Sequence, residues 1–292
     1  MVSLSFDNRE GYLWQNGSLV EWKNAEIHVL NHGLHYASCV FEGERAYNGK
    51  IFESEKHTER LFFSAKSLDM KIPFSQEEIL EAKNNLLKKN SLSNAYVRPV
   101  VRRGSEMMAV SAQSTKINVA IAVWEWPSYF DPDQKMQGIK LDIAKWRRPS
   151  PECGPVHAKA AGLYMICTLS KHEAEAKGYS DALMLDYRGQ IAEATGANIF
   201  FKMPDGKLHT PIADCFLDGI TRRTVMKIAQ DFGVEIVERK IMPDEMAEAE
   251  ECFLTGTAAE VTPVQSIGDY KFKPGELCFK LTKAYSDLVN SH

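Results

Sequence analysis

Lys159 stands in the segment HAKAAGLY, residues 157–164, as a single lysine among alanines and a glycine. Neighbours this small let backbone and ligand approach the side chain closely, so the amine need not be solvated. A lysine withdrawn from water loses its preference for the charged form, and the neutral amine is the species that condenses with an aldehyde to a Schiff base. Taken alone, the segment fits an ordinary solvated helix lysine equally well.

Three further segments carry groups of matching use. EATGANIF, residues 193–200, sets a carboxylate, a hydroxyl and a carboxamide between two strand-like runs. Glu193 is suited to pair with a ring nitrogen, because a pyridinium needs a nearby anion to stay protonated and only then withdraws electrons from a carbanion. LDGITRR, residues 217–223, introduces a helix through Gly219, whose first-turn N–H groups form an anion site to which Thr221 adds a hydroxyl. TGTAAEVTPV, residues 255–264, flanks Gly256 with two threonines in a turn whose amides can hold an oxyanion. Each of these, alone, is also compatible with a surface carboxylate, a capped helix or a plain loop.

The elements that must position these groups follow from pattern. Asn16-Gly17 between two apolar runs predicts a hairpin. Helical spacing runs from 57 to 70 through Leu61, Phe62, Ala65 and Leu68, and a second helix begins at Ser75 and runs to Lys89. Strands are expected over 95–101 and 117–126, and prolines and glycine between 127 and 137 mark a linker. Beyond it the pattern restarts with a strand from 139, a helix around 159–177 closed by Gly178, and strand segments in 181–194 and from 198. A helix with Val225, Ile228, Ala229 and Phe232 on one face stops at Gly233. The chain therefore reads as mixed α and β in two domains, 1–126 and 138–292, joined by 127–137, with no repeat or low-complexity stretch.

Composition agrees with an ordinary globular chain of 292 residues: 44% hydrophobic and 25% charged residues exclude disorder. The net charge of -4 leaves no basic excess for a phosphate backbone, which points away from nucleic acid and towards small molecules. The start MVSLSFDNREGYLW has no basic head followed by an apolar run, and nowhere do eighteen apolar residues follow one another, so no membrane partner and a cytoplasmic location are expected. The six cysteines form no CxxC pair and no Cys/His ligand group; free thiols and no metal are expected.

Together, the segments have the order E-x-T-x-x-N-I-F from Glu193, then Leu208-x-Thr210, then Leu217-x-Gly219-Ile220-x-Arg222. This resembles the signature of the class IV aminotransferases, the pyridoxal-phosphate enzymes of fold type IV. The resemblance extends over nearly the whole chain and is strongest to the branched-chain amino-acid aminotransferases, to whose hallmark segments HVLNHGLHYASCVFEGERAY, AYVRPVVRRGSEMMAVSA, HAKAAGLY and TGTAAEVTPV are similar. It implies an α+β fold with a small α/β N-terminal domain and a larger pseudo-barrel C-terminal domain. It implies pyridoxal 5'-phosphate as cofactor, in Schiff-base linkage to Lys159, which would also move the Cα proton. Glu193 would pair with the pyridine nitrogen and Tyr164 with the 3'-oxygen. Arg60, Thr257 and the amides of Ile220 and Thr221 would bind the phosphate, with Gly219 and Gly256 at the two turns, and Leu217 would pack on the ring.

The same resemblance implies a substrate pocket of Tyr36, Phe41, Gly43, Tyr96, Arg98, Met108, Val110, Trp126, Tyr129, Thr257 and Ala258. Apolar walls suit a branched side chain, each buried CH₂ contributing about 0.8 kcal/mol, while Tyr96, Arg98 and the turn at Thr257 and Ala258 would hold carboxylates. Met108 and Val110 match a loop that reaches a neighbouring subunit in the family, which implies a homodimer or a larger assembly of dimers. The reaction so implied is transamination of L-leucine, L-isoleucine or L-valine with 2-oxoglutarate. Relatives of the same fold act on D-amino acids or (R)-amines; Tyr96 with Arg98 and the 108–110 loop favour the branched-chain branch. A non-enzymatic binding scaffold would require a lost catalytic residue, whereas Lys159, Glu193, Tyr164 and Arg60 are all present. Two departures, Ala109 where the family has glycine and the basic pair Arg102-Arg103 before Gly104, bear on substrate preference and not on the cofactor.

Overall fold

The computed structural model describes residues 5–126 and 137–291. Its chain forms two compact units, one made by the residues up to the 127 boundary together with Ala158–Gly162, the other by the remainder up to His157 and by Leu163–Ser291.

In the first unit, β1 (Tyr12–Gln15) and β2 (Ser18–Glu21) form the expected hairpin. Its turn residues Asn16 and Gly17 have φ of 49° and 94°, the left-handed geometry that matches the twist of the strands. The short α1 (His32–Tyr36) is followed by β3 (Cys39–Phe41), β4 (Glu44–Tyr47) and β5 (Lys50–Ile51). Next come α2 (Ser54–Ser67), α3 (Gln76–Lys89), β6 (Ala95–Arg103) and β7 (Ile117–Glu125). The strands make one antiparallel sheet in the order β2-β1-β7-β6-β4-β5, with β3 also on β6. The Ser75 hydroxyl accepts from the Glu78 amide while Glu78 accepts from the Ser75 amide, so a capping box starts α3 where the sequence places it. Leu61, Ala65, Ile79 and Leu86 of the two helices and Val97, Val101, Val119 and Ile121 of the sheet are fully buried, each large side chain contributing roughly 1.5–3 kcal/mol. An ion pair lies inside this core: Lys83 Nζ is 2.8 Å from Glu44 Oε2 and donates also to the Thr58 hydroxyl, tying α3 to β4 and α2.

The segment around Lys159 departs from expectation. Ala160 pairs with Val40 in an isolated antiparallel bridge, the Phe41 amide donates to the Lys159 carbonyl, and the Lys159 amide donates to the Ser64 hydroxyl at 2.9 Å. Residues 158–160 are therefore extended. A 3₁₀ turn covers Ala161–Tyr164, and the helix, α4, begins only at Met165 and ends at Ala176. Pairing with β3 and α2 satisfies the backbone groups that a helix would have used, and this outweighs the modest helix preference of alanine. The same contacts place these five residues in the first unit, although the sequence reading counts them with 138–292.

The second unit continues with β8 (Ile139–Ile143), α4, β9 (Asp181–Leu185), β10 (Ile191–Ala194), β11 (Asn198–Lys202) and β12 (Leu208–Pro211). It ends with α5 (Ile220–Asp231), β13 (Ile236–Arg239), β14 (Glu251–Gly256), β15 (Glu260–Ile267), β16 (Tyr270–Lys271) and α6 (Glu276–Ser291). The sheet order is β10-β9-β8-β15-β14-β11-β12-β13, with β16 on β15. It is mixed, β8 lying parallel to β9 and β15, and β12 parallel to β13. Leu141, Leu183, Ile199, Phe201, Leu254, Val264 and Ile267 form its core. On α5, Val225 and Ala229 are buried as expected, but Phe232 is exposed and its ring carries the Lys280 ammonium at 4.1 Å from the centroid. Apart from Gln137, the linker 127–137 lies outside the described residues, as does Tyr129. No helix among the described residues is long and apolar enough to cross a membrane, and the cysteines are free thiols.

Candidate active site

The site residues form one cluster in each unit. In the first, Lys159 is fully buried, with its ammonium 5.3 Å from the centroid of the Phe41 ring. Burial pushes its pKa below the ordinary lysine range, the Arg60 guanidinium adds repulsion, and Glu42 partly opposes both. Arg60 is held by Glu42: Nε donates to Oε1 at 2.6 Å and Nη2 to Oε2 at 2.9 Å. His57 Nδ1 lies 2.7 Å from the same Oε2. Burial alone would raise the Glu42 carboxyl, but Arg60 and His57 overcome it and hold the group well below the usual carboxylate range.

Around this set stand the expected substrate-side residues. The Arg98 guanidinium lies 4.7 Å from the Phe41 centroid and donates through Nη2 to the Tyr96 hydroxyl at 3.2 Å. Arg98 Nε is buried with no hydrogen-bond partner among the described residues. Tyr96 packs against Trp126 with ring centroids 4.6 Å apart. Gly43 lets the chain pass the Tyr96 hydroxyl, into which a Cβ would collide. Tyr36, in contrast, is half exposed and stacks on His32 at 4.5 Å. Met108 and Val110 are exposed, Val110 to 87%. Their loop is anchored by His32 Nε2, 2.9 Å from the Ala109 carbonyl, and by Arg103, which donates to the carbonyls of Ala112 and Asp69. The basic pair 102–103 thus supplies a loop staple through its second member.

In the second unit Glu193 sits on β10, where the register against β9 shifts between Ile191 and Glu193; such bulges re-aim side chains. Its Oε1 is 3.5 Å from Arg148 Nε, and both groups are buried. Burial works against the Arg148 charge, but the Glu193 carboxylate more than offsets it and holds the guanidinium above its ordinary range. Arg148 Nη1 also donates to Cys167 Sγ at 3.5 Å. Tyr164, half buried, precedes α4 and acts electrostatically on the same Arg148. Asn198, at the start of β11, donates to Glu193 Oε2 at 3.3 Å and to the Leu217 carbonyl at 2.9 Å.

Gly219 is the N-cap of α5, which has no side-chain cap and no acidic residue in its first turn, so the positive helix end is open to an anion. Ile220 and Thr221 of that turn are buried. The signature's Arg222 points elsewhere: Nη1 donates to Asp218 and Nη2 to Glu238 and to the Pro211 carbonyl, an anchor of the helix rather than a ligand. Between β14 and β15, Gly256, Thr257 and Ala258 form a half-buried turn, and the neighbouring Thr255 hydroxyl is buried without a hydrogen-bond partner among the described residues. Asp186, Asp214 and Cys215 lie close enough to suggest a cation site. Arg188 already occupies it, at 2.6 Å from Asp186 and 2.8 Å from Asp214.

The sequence reading missed Glu42, His57 and Arg148. Glu42 lies between Phe41 and Gly43 in a run read as pocket wall, and the signal available there was a charged residue flanked by apolar ones. Arg148 carries no local mark, because its partners lie at 167 and 193.

The family described as amino-transferase class IV matches residues 39–267. A probable branched-chain-amino-acid aminotransferase from Rickettsia felis is 44% identical over 294 residues, covering 99% of this chain and 99% of the relative. The branched-chain-amino-acid aminotransferase of Pseudomonas aeruginosa is 42% identical, covering 98% and 95%. Among solved structures, a branched-chain aminotransferase from the archaeon Thermoproteus uzoniensis with norvaline superposes with a TM-score of 0.92 at 34% identity, covering 97% of this chain and 96% of that one. A bacterial-type branched-chain amino acid aminotransferase with pyridoxamine 5'-phosphate superposes with a TM-score of 0.93 at 36% identity, covering 97% and 95%. The chain belongs to the class IV aminotransferases, in their branched-chain-amino-acid aminotransferase family.

Proposed function

We propose that this protein transfers the amino group of L-leucine, L-isoleucine or L-valine to 2-oxoglutarate, with pyridoxal 5'-phosphate carried on Lys159. The observation that carries the reading is the burial of Lys159, whose positive charge is further disfavoured by Arg60, so that its amine is poised both to accept and to give up a proton. The residues present fit the cofactor: a buried lysine, a buried carboxylate paired with Arg148, an uncapped helix start, and a buried Thr255 hydroxyl without a protein partner among the described residues. When bound, pyridoxal phosphate supplies an aldehyde for the amine and a protonated ring that draws electrons from the substrate's Cα.

The chain's own groups divide the remaining tasks. Lys159 moves the proton at Cα. Glu193 faces the ring nitrogen and Tyr164 the 3'-oxygen, while Leu217 packs on the ring. Arg60, Thr257 and the amides of Ile220 and Thr221, at the turns of Gly219 and Gly256, hold the phosphate. Phe41, Gly43, Tyr96, Trp126 and Tyr36 wall an apolar pocket, to which Tyr129 is also assigned. Arg98, with its buried and unpartnered Nε, and Ala258 take the substrate carboxylates. Exposed Val29, Leu30, Leu34, Met108 and Val110 support a homodimer or an assembly of dimers in which the 108–110 loop serves the neighbouring copy. The protein is assigned to the cytoplasm.

A panel of L- and D-leucine, L-isoleucine, L-valine and (R)-phenylethylamine with 2-oxoglutarate tests the substrate. Turnover of the three L-amino acids is expected, and preference for a D-substrate or the amine would reject the reading.

A further inference from the structure

Asn198 is buried, and its carboxamide uses two donors and one acceptor at once. Nδ2 donates to the Leu217 carbonyl at 2.9 Å and to Glu193 Oε2 at 3.3 Å, and Oδ1 accepts from the Gly219 amide at 3.2 Å. One side chain therefore joins the carboxylate on β10 to the run of chain that enters α5. No other side chain of this size supplies that set. A carboxylate at 198 would lack both donors and repel Glu193, and an aliphatic group would leave three polar groups without a partner.

Gly219 carries the same message. Its φ of -66° and ψ of 141° are open to any residue, so backbone conformation does not demand glycine there. The Asn198 carboxamide does, since a Cβ at 219 would collide with Oδ1.

We propose that Asn198 is a positioning residue: it fixes the Glu193 carboxylate relative to the open N–H groups of α5, and so couples recognition of the pyridine nitrogen to recognition of the phosphate. This rests on the reading of pyridoxal phosphate as the cofactor.

The test uses the full chain freed of cofactor and titrated with three probes, the uptake of each followed by absorbance. These are pyridoxal 5'-phosphate, pyridoxal, which lacks the phosphate, and the analogue with carbon in place of the ring nitrogen. The unaltered chain is expected to prefer pyridoxal phosphate over both others. Asn198→Ala is expected to narrow each preference by about tenfold, the scale of losing hydrogen bonds of this kind. Equal weakening of all three probes, leaving the preferences unchanged, would mean a merely structural role and overturn the proposal; narrowing of only one preference would overturn the coupling. Should Asn198→Ala not fold, Gly219→Ala, which presses a methyl on the same oxygen, carries the same expectation and the same overturning results. If the unaltered chain takes up no pyridoxal phosphate, the cofactor reading itself falls, an outcome distinct from unchanged preferences.

Discussion

The clusters in the two units solve the placement of charge in different ways. Around Lys159 the first unit buries side-chain charges against one another: Glu42 against Arg60 and His57, and Glu44 against Lys83. The second unit buries one ion pair, Glu193 with Arg148, and otherwise relies on backbone N–H groups, an uncapped helix start and a carboxamide. In the first, protonation is tuned by desolvation and neighbouring charge; in the second, geometry is set by dipoles that do not titrate. The first cluster should therefore respond to pH and to neutral isosteres, and the second to changes of shape.

Lys159→Ala is expected to have the largest effect, reducing steady-state transamination of L-leucine to below about one ten-thousandth, because it removes the proton-transfer group as well as the anchor. Retention of ordinary turnover would break the assignment. Glu193→Gln keeps size and shape while removing the charge that would hold the ring nitrogen protonated. A fall in kcat of roughly a hundredfold is expected, with cofactor uptake preserved, the magnitude typical of losing one preorganised electrostatic contact.

Glu42→Gln tests the first cluster as a charge device. Because Glu42 is held below its ordinary 4.5, its ionised form stabilises the fold above that pH, and the contribution is lost as pH falls through the folded value. The variant leaves Arg60 and His57 facing a neutral amide and should be destabilised at pH 7 by about 3 kcal/mol, the low end for breaking a buried pair. Its deficit relative to the unaltered chain should shrink on acidification, as measured by denaturant unfolding at several pH values. A deficit independent of pH would make Glu42 a packing group. The smallest effect is expected at Thr255, whose hydroxyl has no protein partner among the described residues. Thr255→Val should change the stability of the cofactor-free chain by less than about 1 kcal/mol, while lowering pyridoxal-phosphate affinity several-fold in an equilibrium titration.

Legibility in the sequence followed the range of the interactions. The Asn16-Gly17 turn and the Ser75 capping box are set by residues within three positions of one another, and both stand where the text puts them. The helix expected at 159 failed because its competitor is not local: Ser64 and Phe41 hold the backbone of Lys159 in an extended course. The error concerned the element and not the lysine, whose small neighbours still mark it. Glu42 and Arg148 escaped notice for the same reason, their partners lying from 15 to 45 residues away in the chain. Asn198 was visible as a letter of the signature, but its task appears only when the Leu217 carbonyl and the Gly219 amide are brought to it.

The most direct test of the central claim is the visible absorbance of the purified protein loaded with pyridoxal phosphate, recorded before and after L-leucine and again after 2-oxoglutarate. The account predicts a lysine-bound cofactor band that bleaches with L-leucine, returns with 2-oxoglutarate, ignores D-leucine and is absent from Lys159→Ala. A chain that shows no such band, or whose band answers D-leucine and not L-leucine, would contradict it.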